Sequence, residues 1–464
     1  MDLSTKYQKK TDKEHILSNP DTYIGSVELV DNVEYIFNED TNSIQSKQIN
    51  VIPGLYKLFD EGIVNCRDHC IRMKQASLED STNTHKVTKI DVCVSEDGEI
   101  SFHNDGNGID VAKHPEYNVW IPELIFGHLR TGTNYNKDEK KIVGGKNGFG
   151  VKLIYIWSTE GTLETIDHKR GLKYKQTFTS NLDVIGEPVI SKSKAKPYTK
   201  ITFKPDYKRL GIGTITPDIV QLFKKRVYDI AAITEKSVKV SWNSSVVPVK
   251  EFQDYIGLYI GKNERAHEQP SDRWEYVVAL TNTGEYNQVS FVNGIYTAKG
   301  GKHVDYILNQ ITKKVIAVIL KKKKIEVKPA VIKEQLMLFV RCDIENPAFD
   351  SQTKDYMNTP VSKFGSTCVV SDKFIDKVIK LGVMESACEL TNVKENKNAK
   401  KTDGNKSKSI RGIPKLVDAN YAGTVKSHLC KIIFCEGDSA KAGIISGLST
   451  EDRNYIGVYP MKGK

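Results

Sequence analysis

Residues 55–72 read Leu55-Tyr56-Lys57-Leu58-Phe59-Asp60-Glu61-Gly62-Ile63-Val64-Asn65-Cys66-Arg67-Asp68-His69-Cys70-Ile71-Arg72, opened by Pro53–Gly54. At about 100° per residue, Leu55, Phe59, Ile63, Cys66 and Cys70 share one side of a predicted helix, and Glu61, Asn65, Asp68 and Arg72 lie roughly opposite. Such a polar face is ordinarily solvated. Glu61 and Asn65, however, stand one turn apart, which lets a carboxylate and an amide converge on one small ligand. A carboxylate can polarise a water, and an amide oxygen is a hard ligand suited to magnesium.

Two glycine-rich segments follow. His103-Asn104-Asp105-Gly106-Asn107-Gly108-Ile109 comes after a strand-like run, Glu99 to Phe102. Its two glycines permit a tight turn and let a planar ring approach the backbone, and the Asn104 amide at the strand end can pair with a base edge. Gly144-Gly145-Lys146-Asn147-Gly148-Phe149-Gly150-Val151-Lys152 leads into an apolar run. Glycines around a lysine, ahead of a helix, direct backbone N–H groups at phosphate oxygens. The spacing is not that of a Walker loop.

In this order, Glu61-x-x-x-Asn65, Asn104-x-Gly106-x-Gly108 and the 144–152 loop resemble the ATP-binding boxes of the GHKL fold. That fold is shared by type II topoisomerases, MutL, sensor histidine kinases and large heat-shock chaperones. Thr199-Lys200-Ile201-Thr202-Phe203 is similar to the closing threonine strand. The resemblance implies Glu61 as the general base for the attacking water, Asn65 on magnesium and Asn104 facing adenine. It implies an ATP site completed by Asp68, His69, Arg72, Gly106, Gly108, Ile109, Ile125, Phe126, Thr133, Asn134, Lys146, Asn147, Gly148, Phe149, Gly150, Val151, Lys152 and Thr199. His69 stands where the family has asparagine, and Gly132 where it has serine; Thr133 keeps a hydroxyl beside it.

Later segments narrow the resemblance. Asp350-Ser351-Gln352-Thr353-Lys354, between Glu345-Asn346-Pro347 and Lys363-Phe364-Gly365-Ser366-Thr367-Cys368, is similar to the loop of the topoisomerase transducer domain that delivers a glutamine and a lysine, here Gln352 and Lys354, to the γ-phosphate. Cys435-Glu436-Gly437-Asp438-Ser439-Ala440 resembles the opening of a TOPRIM domain, where Glu436 would join later aspartates on magnesium. Pro460-Met461-Lys462-Gly463-Lys464 and Lys415-Leu416-Val417-Asp418-Ala419-Asn420 fit the same family. The chain is thereby identified as a member of the eukaryotic-type (cellular or large-DNA-virus) type IIA DNA topoisomerase family, its N-terminal part. The implied fold class is α+β: a GHKL (Bergerat) ATPase sandwich, a ribosomal-S5-like transducer and a truncated α/β TOPRIM start.

The implied activity is that of an ATP-hydrolysing type II topoisomerase: ATP closes a homodimeric clamp on double-stranded DNA, and hydrolysis resets it. ATP and Mg2+ are the implied cofactors, and Tyr7 resembles the strap tyrosine that reaches the partner's nucleotide. By the same resemblance, strand cleavage, with its nucleophilic tyrosine, is expected to need domains beyond residue 464. The alternative within the fold is an ATP-driven protein or mismatch clamp of the chaperone or MutL kind; the Glu436-Gly437-Asp438-Ser439 block speaks against it.

Composition agrees with a folded, multi-domain chain. The 464 residues are 39% hydrophobic and 27% charged, which excludes disordered, collagen-like and disulfide-scaffold classes. The polar N-terminus, Met1 to His15, has no signal-peptide core, and the longest aliphatic run, Val315 to Leu320, falls far short of the roughly 20 residues that span a bilayer. Eight scattered cysteines read as structural thiols. The expectation is an intracellular protein, nuclear or, if viral, in the host cytoplasm, neither secreted nor bound to a membrane.

Expected domains are an ATPase domain with its N-terminal dimerisation strap (1–238), a transducer (239–390), a basic linker (391–427) and a partial TOPRIM segment (428–464). A strand at Lys239–Trp242 opens the second, followed by Phe252 to Ile260, strand-like runs at Glu275–Thr281 and Gln288–Val292, and one amphipathic helix from Ser371 to Leu390. Lys431 to Cys435 reads as a buried strand. The net charge of +10 concentrates in residues 313–334, at +6, and 391–412, at +5, leaving the rest near −1. Lys321, Lys322, Lys323 and Lys324 in the first window are candidates for DNA phosphate contact.

Overall fold

The computed structural model describes residues 7, 9–129, 131, 142–143, 150–281, 283–391, 416–449 and 451–461. Two short helices, α1 (Asp12–Ser18) and α2 (Pro20–Tyr23), precede a hairpin of β1 (Val30–Asn38) and β2 (Ser43–Val51). Helix α3 (Pro53–Glu79) follows, seven residues longer than the apolar periodicity predicts. Proline suits its first turn. It stops at Asp80, whose carboxylate takes the backbone N–H groups of Thr82 and Asn83, both at 3.1 Å, and so offers the chain a turn in place of another helical one.

The first sheet has nine strands. It comprises β3 (Lys89–Val94), β4 (Ile100–Asp105), β5 (Ser158–Asp167), β6 (Leu172–Thr179), β7 (Val184–Ile185), β8 (Val189–Lys192), β9 (Tyr198–Pro205), β10 (Lys239–Trp242) and β11 (Ser245–Val246). The order is β11-β10-β3-β4-β9-β5-β6-β7, with β8 also on β6. Helices α4 (Ile121–Gly127) and α5 (Gly150–Ile156) lie between β4 and β5 in sequence, and α6 (Pro217–Ile233) between β9 and β10. Helix α3 is wedged between α6 and the sheet. Phe59 stacks on Phe223 of α6 at 4.0 Å between ring centres and packs on Phe102 of β4 at 5.2 Å. One residue past Glu61, Gly62 lies so close to the sheet that a Cβ there meets the Phe102 ring at 2.3 Å. Removing Phe59, fully buried, is expected to cost about 3–5 kcal/mol.

The strand at Lys239–Trp242 forms as expected but pairs, in parallel, with β3. The first sheet therefore continues past residue 238, through Val246. The segment Phe252–Ile260 is helix α7, with Glu251 and Asp254 closing a capping box.

A second sheet of five strands follows, in the order β12-β13-β16-β14-β15. Its strands are β12 (Arg265–Ser271), β13 (Trp274–Leu280), β14 (Asn287–Val292), β15 (Ile295–Tyr296) and β16 (Leu336–Cys342), with the long helix α8 (Lys302–Lys323) and the short α9 (Pro329–Lys333) before β16. The helix expected from Ser371 to Leu390 is broken: α10 (Asp372–Val378) runs into a π turn, Gly382 takes a φ of 98°, and the helix resumes at 384. Glycine has no Cβ to penalise that conformation.

Residues 386–464 form a separate unit. There β17 (Lys431–Glu436) pairs in parallel with β18 (Ile456–Met461), joined through α11 (Gly437–Gly447) and α12 (Asp452–Tyr455). The strand is present, but the expected burial is not. Ile432 and Phe434 are 47% and 57% exposed, because β18 is its sole neighbour among the described residues. The basic stretch at 392–415, with Lys415, and Lys462 to Lys464 lie outside the described residues, as do the side chains of Asp438 and Ser439. No helix among the described residues is long and apolar enough to cross a membrane.

Candidate active site

Helix α3 presents Glu61 inward, not to solvent. The carboxylate is 7% exposed. Its Oε1 lies 2.6 Å from Lys57 Nζ, one turn back on the same helix, and 3.3 Å from Lys354 Nζ, which arrives from the loop after β16. Its Oε2 faces the start of α5, where a Cβ on Gly150 would stand 2.0 Å away, so a larger residue there displaces the carboxylate. Burial alone raises the carboxyl pKa, but Lys354 and Lys57 outweigh it and hold the group at about 2, fully ionised. Lys57, buried and beside a second ammonium, is held below the ordinary lysine value.

Asn65 donates its amide N–H to the Glu61 carbonyl at 2.7 Å, so its amide oxygen is the atom available to a hard cation. Asp68 is fully buried on the same helix, and Arg72 is half-buried beside it. Burial and the Arg72 guanidinium push His69 down to about 4, so the imidazole is neutral. Its Nε2 lies 3.1 Å from where a Gly106 Cβ would stand, which puts it against the first glycine turn.

That turn is assembled at one end of three adjacent central strands, β4, β9 and β5. Asn104 on β4 is buried and is the register partner of Thr199 on β9. Asp105 is anchored by the backbone N–H groups of Thr88 and Lys89, at 2.7 and 2.8 Å. Gly106 has a φ of 97°, and a Cβ on Gly108 would collide with the Ile166 carbonyl. Ile109 donates its N–H to Thr165 Oγ1 at 3.0 Å, and that hydroxyl meets Thr199 Oγ1 at 3.0 Å. Phe126 is buried and Ile125 half-buried on α4.

At α5, Lys152 is 2% exposed and donates to the Thr131 carbonyl at 2.7 Å; burial lowers it to about 8. Val151 is half-buried beside it. Gly132, Thr133, Asn134, Gly144, Gly145, Lys146, Asn147, Gly148 and Phe149 lie outside the described residues.

The loop bearing Lys354 and Gln352 is pinned from two sides. Lys354 itself has a φ of 63° and donates its N–H to the Ser351 carbonyl at 3.2 Å. Lys299 N–H bonds the Asp355 carbonyl at 3.0 Å, and Met357 and Gly300 bond at 3.1 Å, tying the loop to the turn ahead of α8. Gln352 is half-buried.

Of three further expected sites, two lie elsewhere in the same unit and the third belongs to the separate unit. Tyr7 is 70% exposed and lines an open cleft of about 680 Å³ with Lys9, Lys10, Glu14, Leu17, Ser18 and Arg209. Lys321 to Lys324 are exposed at the C-terminal end of α8, where cations complement the helix dipole. Glu436 ends β17, exposed, in the separate unit, and no cluster of three metal-binding side chains occurs among the described residues.

Three residues escaped the sequence reading: Lys57, Asp60 and Arg226. Lys57 stands at the i−4 spacing from Glu61 and is open to the argument applied to Asn65. Arg226 follows Lys224 and Lys225 and precedes Asp229 on α6, and charges on the core-facing side of a helix are themselves a signal.

Comparison with known proteins bears on this arrangement. Residues 233–408 match the family described as DNA gyrase B. The chain is 42% identical over 482 residues to DNA topoisomerase 2 of Candida glabrata, covering 99% of this chain and 33% of that protein. It is 43% identical over 473 residues to DNA topoisomerase 2 of Acanthamoeba polyphaga mimivirus, covering 100% and 36%. Among solved structures, the ATPase region of Saccharomyces cerevisiae topoisomerase II matches with a TM-score of 0.77 and 39% identity, over 84% of this chain and all of that one. The ATPase and transducer domains of DNA topoisomerase II from Balamuthia mandrillaris match with a TM-score of 0.79 and 37% identity, over 85% and 100%.

The fold is accordingly that of a GHKL ATPase region with its transducer. With relatives above 40% identity along its whole length, the chain belongs to the type II DNA topoisomerase family. It spans about a third of the length of the curated relatives it matches.

Proposed function

We propose that this chain is the ATP-hydrolysing clamp of a type II DNA topoisomerase. ATP binds between α3, the turn at 104–109 and the start of α5, two copies close on a DNA duplex, and hydrolysis reopens them. The observation that carries this reading is the meeting of Lys354 with Glu61, because it puts a cation from the second sheet beside a buried carboxylate able to activate a water. The cluster fits a phosphate: Lys57 is buried and Lys354 half-buried beside Glu61, and Lys152 is buried on the helix that opens at Gly150.

Glu61 takes the proton of the attacking water. While Lys354 is paired with it, its basicity is too low for that task. A γ-phosphate competes for the Lys354 ammonium, and moving that charge off Oε1 raises the carboxylate toward the ordinary range. Gln352 and Lys152 hold phosphate oxygens, and Asn104 and Thr199 read the base. Magnesium, held through the Asn65 amide oxygen, supplies charge neutralisation on the phosphates when bound. Tyr7 reaches the nucleotide of the second copy, so ATP binding and dimerisation favour each other.

The regions proposed are an ATPase domain reaching past Val246, a transducer containing the second sheet, a basic linker, and a TOPRIM start to which Glu436 contributes a magnesium ligand. The likeness to eukaryotic and viral topoisomerases supports action in the nucleus or, for a viral protein, in the host cytoplasm. The deciding experiment is ATP turnover with and without duplex DNA: stimulation that fades with salt supports the reading, and hydrolysis indifferent to DNA at low salt refutes it.

A further inference from the structure

The buried charges beside Glu61 do not stop at its own helix. Arg226, fully buried on α6, donates from Nε to Asp60 Oδ1 at 2.7 Å and from one terminal nitrogen to the Gly294 carbonyl at 2.7 Å. Its other terminal nitrogen lies 3.6 Å from Asp229, which is itself paired with Lys225 at 2.9 Å. Gly294 belongs to the turn between β14 and β15. Asn293, in the same turn, clasps the backbone of Ile344, donating to its carbonyl at 2.8 Å and accepting its N–H at 2.7 Å. Residue 344 lies on the path from β16 to the loop that holds Lys354.

On the other side, Lys57 Nζ lies 3.9 Å from Asp60 Oδ2 and 2.6 Å from Glu61 Oε1. Lys57 therefore has two carboxylates in reach, at i+3 and i+4 on its own helix. Arg226 decides between them: with Asp60 satisfied, Lys57 is left to Glu61.

We propose that Arg226 is a positioning residue for hydrolysis, acting through Asp60 and Lys57 on Glu61, and that its bond to Gly294 makes this arrangement depend on the seating of the Asn293–Gly294 turn. Only a guanidinium presents donors to both targets at once from a fixed fork; an ammonium is a single point. Lys57 and Lys354 both stand against Glu61, whereas Arg226 is the cation in direct contact with Asp60. Without the guanidinium, Asp60 becomes a buried carboxylate whose nearest cation is Lys57. An unpaired buried charge is costly, so Lys57 turns to Asp60 and Glu61 loses its anchor.

The inference rests on Glu61 as the hydrolytic base. ATP turnover and ATP binding are measured on the 464-residue chain carrying Arg226→Met, Asp60→Asn, and both, with circular dichroism reporting the folded fraction. Arg226→Met is expected to lower kcat about 10-fold or more while KM for ATP stays within about 3-fold. Adding Asp60→Asn removes the competing carboxylate, returns Lys57 to Glu61 and recovers most of the loss. If Arg226→Met is not recovered folded, Arg226→Gln, alone and with Asp60→Asn, takes its place with the same expected outcomes. A double variant no more active than the single one, or an Arg226 variant with unchanged kcat, overturns the inference. Glu61→Gln separates the two levels: an active Glu61→Gln removes the reading of the site itself, whereas an inactive Glu61→Gln beside a fully active Arg226 variant removes only the role of Arg226.

Discussion

Lys354 and Glu61, 293 residues apart in the chain, meet at 3.3 Å with their side chains only 12% and 8% exposed. One belongs to the first sheet's helix layer and the other to a loop of the second sheet. With Glu61 as the proposed base, a cation reaching it from another layer ties the chemistry to the relative seating of those layers.

Glu61→Gln is expected to reduce ATP hydrolysis by about 10²-fold or more, the scale of a lost general base, while ATP binding is largely retained. The amide keeps the shape but cannot take the proton. Equilibrium binding of a labelled nucleotide beside steady-state turnover checks both halves.

Lys354→Ala is expected to weaken ATP-dependent dimerisation and to lower turnover about 10-fold or more. Sedimentation with and without a non-hydrolysable nucleotide measures the first effect. Unchanged values for both remove the transducer loop from the mechanism.

Acid stability follows from the depressed carboxyl. Glu61 is held at about 2 against an ordinary value of 4.5, so its ion pairs contribute stability that is complete above pH 4.5 and lost as pH falls toward 2. With Lys354→Met the carboxyl moves back up, and less stability is lost across that window. Denaturant unfolding at pH 5, 4 and 3 is the measurement; an unaltered pH dependence contradicts the pairing.

Neutralising Lys321 to Lys324 with glutamine is expected to reduce DNA stimulation and flatten its salt dependence while basal hydrolysis stays unchanged, since these side chains are exposed on α8 and take no part in the nucleotide pocket. Filter binding of duplex DNA across a salt series tests it.

Much of the site is legible from local spacing. Glu61 and Asn65 are one helical turn apart, and Asn104, Gly106 and Gly108 share one strand end, so periodicity suffices to bring each set together. Resemblance, not spacing, pointed to Lys354, because no local rule connects a polar loop to a helix 293 residues earlier. Lys57, Asp60 and Arg226 went unread for a related reason: charged residues default to solvent, and only the packing of α3 against α6 reveals them as interior. The break at Gly382 defeated an amphipathic pattern that spans it, since periodicity is blind to one residue with positive φ. The pairing of Lys239–Trp242 with β3 was not legible because a parallel partner cannot be inferred from its own strand.

That last pairing governs how the molecule can be divided. Cutting after residue 238 strips β10 from β3 and removes Val247 and Val249 from the interior, leaving Lys89–Val94 as an open hydrogen-bonding edge. A nucleotide-binding fragment made that way presents a ready template for strand addition and is expected to self-associate on storage. One ending after residue 250 retains its own closing strands.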